Sequence, residues 1–296
     1  MSYNIEMYDG TWEDRTPGKV IQTITDHSPD IVGLQEIDSE WDTTSPTNLS
    51  ALTSNGYTRV KGATKTASTN TTGGNKTVKS RNDIYYKTSK FNNLGSGYEI
   101  FRGELDGAGL GVDADGADND RDKMYRHFTW ALLEEKTSGK KILAICTHLH
   151  YRLNTDDTAS NDENMLVRKY EVRLLLAWIE AQTFNYDCIV VFGDMNAHYL
   201  EAVGGRGRQV IDVYRNEGDF LVTRDSAIIK GDTGGTLDKW NADTSTHRST
   251  REEYIYDYIF TKGNCETVYF TVVDNKIDNG KYPSDHLPVM ARIICY

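Results

Sequence analysis

Cys188-Ile189-Val190-Val191-Phe192-Gly193-Asp194-Met195-Asn196 runs from five unbroken apolar residues into a glycine, an acid and an amide. The apolar run is too short for an ordinary helix and is rich in β-branched and aromatic residues. It reads as a strand buried on both faces. A strand covered above and below needs a layer on each side, which points to a layered α/β molecule. The switch to Asp194 and Asn196 puts polar groups where that strand ends.

Working outward, the same pattern recurs. Residues 2–7 read as a short strand carrying Asn4. Thr16-Pro17 supplies an N-cap with proline at the first helical position, starting a helix to about His27 that buries Val20, Ile21 and Ile24 and stops at Pro29. The apolar run 31–35 is a central strand with Glu36 at its end. Ser45-Pro46 repeats the capping device for a helix with Leu49 and Leu52 inward and Gly56 closing it. Residues 126–135 and 141–148 form a hairpin about Thr137-Ser138-Gly139. Asn161 or Asp162 caps the longest helix, with Leu166, Tyr170, Leu174, Ala177 and Trp178 turned to a core. Strands at 254–260, with Asp257 inside it, 266–273 and 289–294 complete the set. Two sheets packed face to face with helices outside fit this order, as one domain over residues 1–296 with no stretch that reads as a linker.

Composition bounds the function. Apolar residues make up 38% of the chain, ordinary for a globular protein and too many for a disordered one. The formal net charge of -11 argues against a protein that coats nucleic acid by counterion release, but not against a nuclease. Carboxylates gathered around a divalent cation lower the net charge, and the cation reverses the field a phosphate meets. Residues 61–81 carry Lys61, Lys65, Lys76, Lys79 and Arg81 without an acid and form a basic loop able to hold a polyanion. Residues 103–123 carry Glu104, Asp106, Asp113, Asp115, Asp118, Asp120 and Asp122 among glycines, which raises calcium as a subsidiary expectation. Gly116 is not at the sixth position of an EF-hand loop starting at Asp113, and no Glu closes it. Cys146, Cys188, Cys265 and Cys295 lack CxxC spacing and read as buried free thiols, a Cys265–Cys295 bridge being the alternative in an oxidising compartment. No apolar run is long enough to span a membrane. Met1 opens almost directly on the first strand, which leaves export with a trimmed leader open. Oligomeric state is set at monomer by default.

The polar strand ends, Asn4, Glu36, His148, Asp194, Asn196, Asp257 and Asp285-His286, can converge at one edge of such a fold. Oxygen ligands from Glu36, Asp285 and Asp194 suit magnesium or manganese, and without an HExxH or Cys-rich set zinc is disfavoured. Asp257 needs a partner, and His286 is the candidate. Five segments, Ile31-Val32-Gly33-Leu34-Gln35-Glu36, Thr147-His148-Leu149, Phe192-Gly193-Asp194-Met195-Asn196-Ala197, Tyr256-Asp257-Tyr258-Ile259-Phe260 and Tyr282-Pro283-Ser284-Asp285-His286, together resemble the endonuclease/exonuclease/phosphatase, or DNase I-like, superfamily. They occur in its order and span nearly the whole chain.

The resemblance implies a four-layered α/β/β/α sandwich and metal-dependent phosphoester hydrolysis. It implies Glu36 as the main metal ligand, with Asp285 and Asn4 beside the metal. Asp194 would activate or orient water, and Asn196 would hold it. His286, polarised by Asp257, would face the phosphorus, with His148 on the other side. Arg126 and Arg168 would help bind phosphate. Apart from the resemblance, the Gly204-Gly205-Arg206-Gly207-Arg208 segment has the composition of a loop that wraps a phosphate, a solvent-facing loop being the alternative. His150-Tyr151-Arg152 stands where many members have an Asp after the histidine motif, and the signatures of abasic-site endonucleases and inositol polyphosphate 5-phosphatases do not match. A nuclease is therefore the first expectation. A phospholipid or small-metabolite phosphoesterase is the alternative, and a binding module without turnover is a third.

Overall fold

Side chains alternate across a strand, so each strand of a double-sided layer must feed two different cores. The computed structural model describes residues 1–6, 17–38, 41, 49–63, 81–101, 126–150, 158–199, 208–236, 255–276 and 282–296. Its strands are β1 Ser2–Asn4, β2 Ile31–Ile37, β3 Tyr57–Val60, β4 Arg81–Lys87, β5 Phe91–Ile100, β6 His127–Glu135, β7 Lys141–His148, β8 Cys188–Asp194, β9 Leu221–Val222, β10 Ile229–Lys230, β11 Asp257–Gly263, β12 Cys265–Val272 and β13 Val289–Cys295. Among the described residues they form a seven-stranded sheet, β10-β12-β13-β1-β2-β4-β3, and a six-stranded sheet, β5-β6-β7-β8-β11-β9. The helices are α1 Pro17–His27, α2 Ser50–Ser54, α3 Thr158–Ala181, α4 Arg208–Asp212 and α5 Thr223–Ser226.

Three apolar seams separate four layers. Val20, Ile21 and Ile24 of α1 and Leu52 of α2 pack with Tyr3, Val32, Leu34 and Tyr85 on the outer face of the first sheet. Ile84, Ala144, Cys146, Val190, Phe192, Ile259, Phe270 and Val289 fill the space between the sheets. Leu143, Ile145, Ile189 and Val191 on the far face of the second sheet meet Met165, Val172, Leu175 and Ile179 of α3. The alternation is complete along β8: Ile189 and Val191 face the helix, Val190 and Phe192 the partner sheet. The expected α/β/β/α sandwich of the DNase I-like kind is the observed architecture.

Two glycines permit close contacts of these layers, one across the seam between the sheets and one between strands of the same sheet. A Cβ on Gly33 would lie 2.1 Å from the Phe192 ring of the facing sheet, and one on Gly193 would lie 1.9 Å from the Thr147 carbonyl oxygen on the neighbouring strand. Thr147 and Gly193 are register partners in the parallel β7–β8 pair.

Several expectations shift. β1 ends at Asn4, and β11 begins at Asp257, so that carboxylate lies at a strand end rather than inside one. The longest helix begins at Thr158, ahead of the expected cap at Asn161 or Asp162. Its buried face is Met165, Val167, Arg168, Glu171, Val172, Leu175, Leu176 and Ile179. Leu166, Leu174 and Trp178 flank that face, and Ala177 is exposed. Arg81, expected in the basic loop, starts β4 and is buried, 3.6 Å from the Asp83 carboxylate. Most of the 61–81 stretch, all of 103–123 with its calcium expectation, and residues 204–207 lie outside the described residues. Strands β3, β4 and β5 were not anticipated by the pattern.

Candidate active site

The alternation that sends Val190 and Phe192 into the seam between the sheets sends Asp194 there too, two residues on. Cys146 on β7 and Ile259 on β11 likewise place His148 and Asp257 on that face. His148 and Asp257 are the register partners of Asp194 on either side. The site is thus the polar continuation of the inter-sheet core, where the apolar side chains stop. The opposing sheet supplies the other wall. Asn4 ends β1, Glu36 sits near the end of β2, and the 284–286 turn leads into β13.

Glu36 and Asn196 are both held in the left-handed region, with φ of 65° and 46°. For Glu36 this coincides with a break in β2–β4 register between Leu34 and Ile37, which re-aims the carboxylate. Non-glycine residues persist in this conformation only when their surroundings enforce it.

Asp194 is the hub. Its Oδ2 accepts from Asn4 Nδ2 at 3.0 Å and lies 3.3 Å from His148 Nε2 and 3.7 Å from His286 Nε2. Its Oδ1 accepts from the Asn196 backbone N–H at 2.8 Å. Asn4 Nδ2 also donates to Glu36 Oε1 at 3.0 Å, so one amide holds two carboxylates side by side. The Asn4 side-chain oxygen Oδ1 accepts from the Glu6 backbone N–H at 3.0 Å. Asn196 donates through Nδ2 to the Leu149 carbonyl at 3.0 Å and meets His148 Nε2 at 2.8 Å, which leaves its Oδ1 without a partner among the described residues. Asp257 Oδ2 meets His286 Nδ1 at 2.8 Å. The Ser284 hydroxyl donates to the Asn4 carbonyl and accepts from the His286 N–H, tying the turn to β1.

The protonation states diverge. Burial disfavours a charged His286, yet Asp257, Asp285 and Asp194 together outweigh burial and hold it well above the ordinary histidine range. Burial keeps His148 well below that range, reinforced by Arg126 and His286, so it is neutral. Asp194 is pushed up to about 6, chiefly by burial. Glu36 is raised by burial and then by the charge of Asp285.

These oxygens fit a divalent cation. Glu36, His148 and Asp194 each offer a ligand atom within 4.8 Å of the others, as do Asp194, Asp257 and His286. Buried carboxylates raised by burial and by their neighbours' charge are the environment that a hard cation with oxygen preference relieves. Asp285 bears on this group through charge, its backbone N–H donating to Glu6 Oε2 at 3.3 Å.

Both expected arginines come to the same side. Arg126 acts electrostatically on Glu36 and His148. Arg168 is 3% exposed, donates to the His150 carbonyl at 3.1 Å, and keeps a buried Nε with no hydrogen-bond partner among the described residues. Burial lowers it to about 10 against the opposing pull of Glu171, Tyr256 and Asp194. Glu171, which the sequence did not single out, accepts from the His150 N–H at 2.9 Å and is raised to about 7 by burial. Glu6 was also missed. The signal available for Glu171 was its position three residues after Arg168 on α3, one helical turn away. Arg208 is at the start of α4, 3.7 Å from Asp212.

The family model for the endonuclease/exonuclease/phosphatase family matches residues 1–286, and the chain belongs to that family. No curated protein sequence matches it. Among solved structures it is similar to the mannosyl-6-phosphatase Bt3783 of Bacteroides thetaiotaomicron, with 17% identity and a TM-score of 0.66, covering 99% of this chain and 98% of that one. It is also similar to the human Nocturnin catalytic domain with bound sulfate (17%, TM-score 0.62, 99% and 92% covered). The D. rerio TDP2 complexed with single strand DNA product is a third (17%, TM-score 0.61, 99% and 97%). Among the described residues no helix is long and apolar enough to cross a membrane.

Proposed function

We propose that this protein is a divalent-cation-dependent hydrolase of phosphoester bonds whose substrate is a nucleic acid strand. The observation that carries the reaction class is the hub at Asp194, a buried carboxylate raised to about 6 that lies between a neutral His148 and a charged His286. Glu36, with Asp194 and Asp285 about it, would hold magnesium or manganese, which would supply positive charge opposite the growing negative charge of the transition state. Asn4 keeps the two carboxylates together. Asp194, with Asn196 Oδ1 beside it, orients a water and accepts its proton. His286, kept protonated by Asp257, stabilises the phosphoryl oxygens from the other side. His148 fixes the Asn196 amide, and Arg126 and Arg168 hold the non-bridging phosphate oxygens.

The nucleic-acid reading draws on the acid-free stretch 61–80 with Lys61, Lys65, Lys76 and Lys79, and on the likeness to TDP2, described with a DNA product. The second reading, a small phosphorylated sugar, draws on the likeness to a mannosyl-6-phosphatase. Supercoiled plasmid, RNA, sphingomyelin and a sugar phosphomonoester, each with magnesium, manganese or EDTA, separate them. Nicking by the wild type with metal, lost by orders of magnitude in Glu36→Gln and His286→Ala of unchanged fold, is the expected result. Turnover of the monoester without nicking moves the substrate to the second reading, and normal turnover by either variant removes the site assignment.

A further inference from the structure

Asp194 closes β8, and the first residue of the same strand, Cys188, meets two more thiols at the other end of the sandwich. Cys265 opens β12 and Cys295 closes β13, and the two are register partners across that antiparallel pair. Cys188 belongs to the opposing sheet. Its Sγ lies 2.8 Å from Cys295 Sγ, and it also interacts with the Cys265 thiol. All are free thiols. Cys188 is buried, whereas Cys265 and Cys295 are half-exposed. The cross-strand bridge weighed from the sequence, Cys265 with Cys295, is therefore not the shortest thiol contact. Cys146, the fourth thiol, is apart from this group. It is fully buried, accepts from Gln35 Nε2 at 3.1 Å, and burial pushes its pKa far up.

Three thiols can hold a soft metal ion or exchange disulfides. Among the described residues, the clusters whose ligand atoms all lie within 4.8 Å of one another are both at the candidate active site. The cysteine group is not one of them. Cys188 in the middle with a partner on each side is instead the arrangement of a resolving thiol.

We propose that Cys188, Cys265 and Cys295 form a peroxide-responsive thiol group in which Cys188 closes a disulfide with Cys295 and can pass it to Cys265. The Cys295 thiolate attacks a hydroperoxide, forming an S–O bond as the O–O bond breaks. The departing alkoxide or hydroxide takes up the proton that the thiol released. Cys188 then attacks the sulfenic acid, forming the S–S bond and expelling the oxygen as water with the proton from Cys188. Two thiols lose two electrons and the hydroperoxide gains them. Burial allows only the outer thiols to meet the oxidant first. Hydrogen bonding with the Cys188 thiol, which has one proton to share between them, lowers the outer thiols from the ordinary cysteine value and favours whichever thiolate it faces. The product fastens the two sheets to each other at the end remote from Asp194.

Reduced protein treated with equimolar hydrogen peroxide, alkylated, digested without reductant and analysed by mass spectrometry tests this. The expected outcome is loss of half of the four thiols, with Cys188 in every cross-link and Cys295 its main partner, while Cys146 is alkylated in full after unfolding. In Cys188→Ser treated with two or more equivalents of peroxide, Cys295 should advance to the sulfinic acid instead, the second equivalent oxidising the unresolved sulfenic acid. If that variant does not fold, the wild-type map decides alone. A Cys265–Cys295 cross-link without Cys188, irreversible oxidation of Cys295 beside a free Cys188, or four intact thiols would each overturn the proposal.

Discussion

At the scale of single residues, the candidate site works by pushing like groups apart in protonation. His148 and His286 both approach the same Asp194 oxygen, yet only His286 has a carboxylate at hydrogen-bond distance on its far nitrogen. Replacing Asp257 by Asn removes that charge while keeping the shape. Turnover should fall roughly 100-fold or more, the scale of losing one transition-state stabiliser, with KM little changed and far-ultraviolet circular dichroism intact. Equal turnover would show that the pair is structural. Glu171 offers a test in stability. Its folded pKa of about 7 lies above the ordinary 4.5, so the fold binds its proton more tightly than the unfolded chain does. The stabilisation is therefore complete below pH 4.5 and lost as pH rises through 7. Relative to wild type, Glu171→Gln should gain about 2.5 kcal/mol between pH 5 and pH 8, read from urea unfolding at each pH. A pH-independent difference would mean that Arg126 and Arg168 neutralise Glu171 more fully than its burial suggests.

At the scale of elements, the sequence exposes strand ends better than strand faces. Asp194, Asp257, His148 and Glu36 stand out because each interrupts an apolar run, and the structure brings all of them together. The misread face of α3 has a physical cause: Arg168 and Glu171 are buried polar residues, so an apolar-period reading rotates the helix away from them. β5 was missed because most of its ten residues are exposed or half-exposed and it lacks an inward apolar row. β4 opens on Arg81, Asn82 and Asp83, a polar run whose burial depends on partners such as Arg59 and His127 that lie far off in sequence. The two glycines of the layer contacts give a paired prediction. Gly33→Ala collides with a side chain, so it should destabilise by about 1–3 kcal/mol, and Phe192→Leu in the same chain should recover part of that loss. Gly193→Ala collides with backbone, and shrinking no side chain relieves it. It should destabilise by at least as much, and Phe192→Leu should only add to the loss. Recovery in both backgrounds would show that the sheets, and not these contacts, yield.

At the scale of the whole molecule, the carboxylates at the meeting of the two sheets oppose one another until a cation is present. Saturating magnesium or manganese at about 100 times its dissociation constant should add about 2.7 kcal/mol to the folded state. For a chain of this length that is a rise in melting temperature of roughly 4 °C, reversed by EDTA and reduced or absent in Glu36→Gln. An unchanged shift in the variant would place the cation elsewhere.

The two sheets do not divide the chain into halves. The seven-stranded sheet takes β1 to β4 from the beginning and β10, β12 and β13 from the end, while the six-stranded sheet is built from the stretch between, with β11 reaching back to β8. Asn4, Asp194 and His286, in contact around one oxygen or a few ångströms from it, therefore come from the first, middle and last parts of the sequence. No contiguous fragment that stops short of residue 286 can assemble the constellation, and neither can one that begins after residue 4. On the proposed function, hydrolysis requires both ends of the chain to meet at one oxygen, so a copy that still lacks His286, as a nascent one does, would be inert toward phosphoesters.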